Sequence, residues 1–150
     1  MKNIFLLIIM TTLFGCSKKD NVVTRQGIDV EFTKDYTFTD GVTANRPFNV
    51  ASMLIWRAEG KQFTYNGLTD KATAYDDVSK TNIAADYTYS NIKSQVIELP
   101  AGEYFLAILT DDAETPKMAY TYTSFSLKAG VFIPIKKNLT ALPSNAYTPW

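Results

Sequence analysis

The feature that most constrains the fold of this chain is an alternation of apolar and polar residues near its beginning. In residues 28–38 every second side chain is apolar, except where Lys34 interrupts the row. A period of two fits a β-strand with one buried face and does not fit the 3.6-residue period of a helix. We therefore expect a half-buried strand here, ended by the turn-forming residues that follow it.

A second strand is predicted in residues 48–57. Strict alternation places Val50, Leu54 and Trp56 on one face, and it places Met53 and Ile55 on the other. Trp56 is expected in the core, because a buried tryptophan is common in sheet sandwiches.

The remaining strand signals are short and are separated by turn-forming residues. They fall at residues 63–65, 85–89, 93–99, 104–109, 118–127, 131–135 and 139–142. Residues 104–109 are apolar on both faces, which predicts a central strand. Residues 66–82 are polar and are predicted to form a long loop, with a short edge strand or a helical turn as alternatives.

This pattern predicts an all-β fold. We interpret these nine segments as seven or eight short strands without an amphipathic helix, which favours a single antiparallel β-sandwich spanning residues 26–150, with a small barrel as the alternative. The nine tyrosines and nine phenylalanines also favour strands.

The amino-terminal residues 1–15 have the layout of a secretory signal peptide. Lys2 precedes an apolar segment, residues 4–14, that is shorter than the roughly 20 residues a membrane-spanning helix needs. A transmembrane anchor is therefore the less favoured interpretation.

The sequence Leu13-Phe14-Gly15-Cys16 resembles the bacterial lipobox. The resemblance implies cleavage between Gly15 and Cys16 and attachment of lipid to Cys16, with two or more acyl chains giving a durable anchor. Residues 16–25 then form a lipidated tether, which resembles that of Bacteroidetes lipoproteins. In similar lipoproteins of enterobacteria an aspartate after the cysteine favours inner-membrane retention, so the resemblance, with Ser17 at this position, implies the outer membrane. The side of that membrane, periplasmic or surface, stays open.

Leu99-Pro100-x-Gly102-x-Tyr104, followed by an apolar strand, carries a second resemblance. It is similar to transthyretin-like and immunoglobulin-like extracellular modules, and to the amino-terminal domain of Bacteroidetes fimbrial anchor and tip lipoproteins. This resemblance implies a transthyretin-like or immunoglobulin-like strand order.

Composition argues against several functions. The chain has no histidine, and its one cysteine is Cys16, so the commonest general base and the commonest transition-metal ligands are missing. Loss of Lys2 with the signal peptide leaves 14 basic against 15 acidic residues, without the excess of positive charge typical of nucleic-acid binding. We expect no enzyme, no cofactor, no metal site and no nucleic-acid partner.

Two acidic clusters, Asp76-Asp77 and Asp111-Asp112-Ala113-Glu114, lack the spacing of a calcium loop and are interpreted as solvated loops. Trp150 is predicted to pin the chain terminus to the domain, with an exposed anchor as the alternative.

Four tyrosines are the candidate binding residues: Tyr87, Tyr89, Tyr120 and Tyr122. Tyr120 and Tyr122 have the opposite parity to Phe125 and Leu127, so they face outward if the latter two face the core. A bulge that shifts the phase, or tyrosines covering the rim of the sandwich, are the alternatives.

The expected function is a lipid-anchored binding or assembly module of the cell envelope that engages a protein partner. Glycan binding through exposed tyrosines is the alternative. An exposed, unprotected edge strand would favour the first, and a flat row of solvent-facing tyrosines would favour the second.

Overall fold

The computed structural model describes residues 25–112, 117–139 and 150. These residues form eleven strands and no helix, which confirms the all-β prediction. The strands are β1 (Gly27–Thr37), β2 (Thr43–Pro47), β3 (Val50–Arg57), β4 (Phe63–Thr64), β5 (Thr73–Asp76), β6 (Thr81–Ala84), β7 (Tyr87–Ile92), β8 (Ser94–Glu98), β9 (Gly102–Asp112), β10 (Lys117–Leu127) and β11 (Phe132–Asn138).

The described strands form three sheets. Sheet A contains β11, β1, β2 and β8, sheet B has the order β10-β9-β3-β7, and sheet C has the order β4-β5-β6. All strand pairs are antiparallel except β1 with β11, which run parallel. The sheets pack on one another as in a β-sandwich, and sheet C adds a third layer that the sequence did not predict.

Two connections pass between sheets A and B beside Phe32 of β1: the one from β2 to β3 and the one from β7 to β8. The Phe32 N–H donates to the carbonyl oxygen of Lys93 (2.8 Å), just before β8, and the Phe32 carbonyl oxygen accepts from the N–H of Phe48 (2.9 Å), just after β2. β8 pairs with residues 27–31 of β1, and β2 pairs with residues 33–37. The two strands therefore lie end to end along the same edge of β1.

The first core lies between sheets A and B. Its fully buried members include Phe32, Met53, Ile55, Leu106 and Ile108. Lys34 continues the inward row of β1 and is only 7% exposed, with its Nζ 5.4 Å from the ring centre of Tyr36 and 5.3 Å from that of Phe48. The cation that interrupts the apolar pattern thus lies over two aromatic faces, which attract positive charge.

The second core lies between sheets B and C, on the opposite face of sheet B. It contains Leu54, Trp56, Phe105 and Leu109 from sheet B, and Ala74 from sheet C. β9 therefore contributes buried side chains to both cores. Residues 104–109 form a central strand, as predicted, because sheet B is covered on both sides.

The predicted face of Val50 is wrong. Val50 belongs to the first core together with Met53 and Ile55, although strict alternation would group it with Leu54. The regular pairing of β3 with β7 skips the position opposite Asn91, whose φ of 56° lies in the left-handed region. Val50 lies on the far side of this interruption from the rest of the strand.

Residues 66–82 are not a simple loop. They contain β5 and the start of β6, which form a hairpin that covers sheet B. Asp76, expected in solvent, is 2% exposed because its carboxylate accepts backbone N–H groups of Gln62, Val78 and Ser79 at 3.0–3.1 Å. β9 also extends through Asp111 and Asp112, so those two residues lie in a strand rather than a loop.

The Leu-Pro-x-Gly-x-Tyr segment turns the chain from sheet A into sheet B. Leu99 and Tyr104 are both buried in the first core, and the Tyr104 hydroxyl donates to the carbonyl oxygen of Pro100 at 2.8 Å. The Tyr104 ring stacks on Phe125 of the neighbouring strand, with ring centres 5.2 Å apart. The motif therefore fixes the turn by one local hydrogen bond and anchors it in the core.

Candidate partner-binding edge of sheet B

The four candidate tyrosines lie on the two end strands of sheet B. Tyr87 and Tyr89 belong to β7, and they pack half-buried against the first core. Burial is the main cause that raises the pKa of Tyr89. Tyr120 and Tyr122 belong to β10 and pack half-buried against the second core, on the other face. The four rings therefore do not share one surface.

The parity argument for Tyr120 and Tyr122 holds, but the face they occupy is covered. Phe125 and Leu127 do pack into the first core, and the tyrosines point the opposite way. On that face, Tyr120 and Tyr122 pack against the second core and its aromatic rings. The sequence did not show this, because sheet C is built from strands of two to four residues, too short for a periodic signal.

Six aromatic rings form a connected cluster between sheets B and C. Their centres lie 5.3–6.0 Å apart in a chain of tilted or edge-on contacts that ends at the two tyrosines of β10. The members are Trp56, Phe63, Tyr65, Phe105, Tyr120 and Tyr122. Burial, the largest contribution, raises the pKa of the Tyr65 hydroxyl. Such contacts add to the stability that simple burial provides.

One backbone hydrogen bond establishes which way the strands of sheet B direct their peptide groups. The Ala58 N–H donates to the Glu103 carbonyl oxygen (2.8 Å). The odd-numbered residues of β9 therefore point their backbone N–H and C=O groups toward β3. Peptide groups alternate in direction along a strand, so the even-numbered residues of β9 direct theirs toward β10. Those residues are paired with odd-numbered ones of β10, such as Tyr104 with Phe125.

The even-numbered residues of β10 therefore direct their peptide groups away from β9, along the outer edge of sheet B. Within the strand pairs that the structure describes, β10 has β9 as its one neighbour. The side chains at these edge positions form a series of two large and two small residues. In order they are Tyr120, Tyr122, Ser124 and Ser126.

From Met118 to Leu127, β10 lacks two of the features that usually keep a sheet edge from pairing, charge and proline. No charged residue and no proline occurs between Met118 and Leu127. β11, an end strand of sheet A, has Pro134 and the lysines Lys136 and Lys137. Charges and proline on an edge strand discourage the addition of another strand, so β10 is the better candidate for pairing.

The sequence analysis also singled out Gly15, Cys16, Trp56 and Trp150. Gly15 and Cys16 lie outside the described residues. Trp56 is fully buried, as predicted, and Trp150 lies with its ring centre 5.6 Å from Nζ of Lys137 on β11. Across residues 25–112 and 117–139, no group of three or more acidic or cysteine side chains is placed to hold a metal ion.

Within the part of the chain that the structure describes, no helix has the length and apolar character to cross a membrane. Comparison of the chain with protein-family models, with curated proteins and with solved structures finds no match.

Proposed function

We propose that this chain is a lipid-anchored, non-catalytic binding or assembly module of the bacterial cell envelope, and that it engages a protein partner along the outer edge of β10. The lipid anchor is proposed at Cys16, on the lipobox-like sequence that ends there. The observation that carries partner binding is the position of β10 at the end of sheet B, with ten consecutive residues free of charge and proline.

Strand addition fits this edge physically. A partner segment in extended conformation would accept and donate backbone hydrogen bonds at Ser124 and Ser126, which direct their peptide groups outward and carry exposed, small side chains. Backbone bonds supply affinity in this mode, and side chains on the two faces supply specificity.

Protein binding is better supported than glycan binding. Sugar rings stack on flat, solvent-facing aromatic platforms, whereas the four tyrosines here lie half-buried on opposite faces of sheet B. Among the residues that the structure describes, these four rings form no flat row on one open surface that would favour the glycan alternative.

The test of the partner edge is in-cell photo-crosslinking of the full-length lipoprotein. A photoreactive amino acid replaces Ser124 on β10 in one variant and Ser90 on β7 in the other. Both serines are exposed and lie on opposite end strands of the same sheet. We expect a discrete crosslinked protein from position 124 and none from position 90. Identical products from both positions, or no product from either, contradict the proposal.

The anchor needs its own test. A labelled fatty acid should be incorporated into the wild-type chain and not into the Cys16→Ser variant, and only the wild type should remain with the membrane fraction. Equal labelling of both chains would contradict lipidation at Cys16. This outcome is independent of whether β10 binds a partner.

A further inference from the structure

We infer that the turn joining β1 to β2 is a second contact surface, which places Phe38 and Val42 in an apolar recess of a protein partner and pairs Arg46 with a carboxylate of that partner. Together these three side chains form the hairpin tip. The hairpin tip belongs to sheet A and does not involve β10, so the inference goes beyond the proposed edge. Its choice of a protein over a lipid surface rests on the proposed anchor at Cys16.

The hairpin tip continues the row of side chains that fills the first core. The even-numbered residues of β1 face sheet B, and Phe32 and Lys34 are buried there. Exposure rises further along the row, because Tyr36 is half-buried and Phe38 is 40% exposed. Val42 lies opposite Phe38 and is 56% exposed. The row therefore extends past the part of the fold that covers it and ends in two exposed apolar side chains.

The backbone of the turn is held by hydrogen bonds, so Phe38 and Val42 stay opposite each other. The Phe38 N–H donates to the Val42 carbonyl oxygen at 2.9 Å, and the Gly41 N–H donates to the Phe38 carbonyl oxygen at 2.9 Å. The Asp40 carboxylate accepts the Val42 N–H at 3.0 Å. Gly41 has a φ of 80°, which glycine adopts without strain. A surface that is already formed loses little conformational entropy on binding.

Arg46 adds a cation to the hairpin tip. Its guanidinium carbon lies 5.0 Å from the centre of the Phe38 ring, whose face attracts positive charge. In the part of the chain that the structure describes, this guanidinium makes no hydrogen bond and no ion pair. Arg25, another exposed arginine, is instead paired with Glu98. The donors of Arg46 are therefore available in the fork geometry that fits a carboxylate.

These side chains indicate the chemistry of the partner. Single exposed apolar residues are ordinary on protein surfaces, but aromatic residues and arginine are enriched at the centres of protein interfaces. A guanidinium stacked on a ring keeps the donors at its edge available. The partner should therefore offer an apolar recess for Phe38 and Val42 and an acidic side chain within reach of Arg46.

The position of the hairpin tip favours a protein over the membrane that holds the anchor. β1 begins at Gly27, close to the tether, and its two ends lie about 33 Å apart at about 3.3 Å per residue. A domain that stands on its tether therefore presents the hairpin tip away from the bilayer. Asp40 in the turn would also be repelled by anionic headgroups, whereas interfacial membrane elements are rich in basic residues.

In-cell photo-crosslinking of the full-length lipoprotein tests the hairpin tip. A photoreactive amino acid replaces Val42 in one variant and Val78 in the matched control. Val78 is 59% exposed and lies in the turn between β5 and β6, so it matches Val42 in size, exposure and setting. We expect a discrete protein product from position 42 and none from position 78. Equal products from both positions, or no product from position 42, would overturn the inference.

Charge reversal tests the role of Arg46. Arg46→Glu, combined with the photoreactive residue at position 42, should lower the yield of the product about tenfold or more, because two carboxylates would then face each other. Lys128→Glu is the matched control, since it reverses an exposed basic residue in the turn between β10 and β11 and should leave the yield unchanged. Both variants should melt close to the wild type, because both side chains are exposed. An unchanged yield with Arg46→Glu would overturn the inference.

Mass spectrometry of the crosslinked product tests the chemistry of the partner. The attachment point should lie near an aspartate or glutamate of the partner, and replacing that residue by lysine should restore the product with Arg46→Glu. Failure of every such acid-to-lysine change to restore the product would overturn the pairing with a carboxylate. A product that carries a lipid in place of a peptide would overturn the choice of a protein.

The outcome at the hairpin tip is separate from the outcome at β10. The hairpin tip lies at the end of β1 far from Gly27, whereas Ser126 pairs with Glu103 just after the turn that leaves β8. A product from position 42 with none from position 124 supports the hairpin tip and contradicts the β10 edge. The reverse result overturns the inference and leaves the proposed function standing. The fatty-acid test of Cys16 decides the anchor independently of both.

Discussion

The indole N–H of Trp56 donates to the carbonyl oxygen of Ile83 at 2.8 Å, and this bond ties sheet B to sheet C. Trp56 lies in β3 and Ile83 in β6, so the bond joins two sheets across the second core. Trp56 therefore fills space in the second core and also links sheet C to sheet B by a hydrogen bond.

Trp56→Phe should lower the free energy of unfolding by about 2 kcal/mol, because it leaves the Ile83 carbonyl without its donor and shortens the buried ring. Urea denaturation would measure the change. Trp150→Phe is the control, since Trp150 is partly exposed and should change stability little. Equal effects of the two substitutions would contradict the role assigned to Trp56.

Tyr104→Phe tests the turn that begins at Pro100. The substitution keeps the ring stacked on Phe125 and removes only the hydroxyl that donates to the Pro100 carbonyl oxygen. We expect a loss of about 1 kcal/mol in unfolding free energy, the usual net value of one hydrogen bond. Tyr75→Phe, on an exposed residue, should lie within about 0.5 kcal/mol of the wild type.

Thr121 and Thr110 give opposite predictions for the same substitution. Thr121 is buried, and its hydroxyl has no hydrogen-bond partner among the described residues, so Thr121→Val should stabilise the fold by up to about 1 kcal/mol. Thr110 is also buried, but its hydroxyl donates to the Ala119 carbonyl oxygen at 3.2 Å. Thr110→Val should therefore destabilise by about 1 kcal/mol. Thermal unfolding of both variants would reveal the difference in sign.

Asp76 makes the stability of the folded state depend on pH in the acidic range. Hydrogen bonds, first from the Ser79 side chain and then from backbone N–H groups, lower the pKa of Asp76 from 3.8 to about 2. Because the folded pKa is depressed, its stabilising contribution is complete above about pH 3.8 and disappears as the pH falls toward 2.

Asp76→Asn should be less stable at neutral pH and should lose part of this acid dependence, as measured by denaturation between pH 2 and 5. Asp77→Asn is the neighbouring control. Its carboxylate accepts one hydrogen bond from the Thr64 hydroxyl at 3.1 Å and lies 3.8 Å from Nζ of Lys80 in an exposed ion pair. An identical pH profile for Asp76→Asn and the wild type would contradict the assignment.

Gly27 is required where β8 passes close to β1. A Cβ at this position would lie 1.9 Å from the Ile97 carbonyl oxygen, which is part of the backbone and cannot move away easily. Gly27→Ala should therefore cost about 3 kcal/mol and increase amide exchange in β8. Asp29→Ala, on the exposed side of the same strand, should leave exchange in β8 unchanged.

Much of the fold was predictable where a strand was long enough to show its period. The row from Ile28 to Phe32 predicted the buried face of β1, and the doubly apolar segment of β9 predicted a central strand. Val50 was assigned to the wrong face: it lies beyond an interruption in the pairing of β3 with β7, at Asn91, which the residue pattern does not show.

The sequence predicted the orientation of the tyrosines at the candidate edge but not their surroundings. The parity of Tyr120 and Tyr122 was predicted correctly, yet the second core that they pack against also contains Ala74 of β5, from a segment expected to be mainly a loop. Asp76 was expected in solvent for the same reason. A short strand gains its stability from the sheet it covers, so its own residues give little indication of it.

The sequence by itself determined the all-β class, the buried rows of the long strands and the central tryptophan. These follow from local period and apolar character, which act between residues that are close along the chain. Tertiary structure alone decided the three-layer order, the burial of Asp76 and the position of β10 at the end of sheet B. These features depend on which strands become neighbours across long separations in the chain, and residue period does not encode that choice.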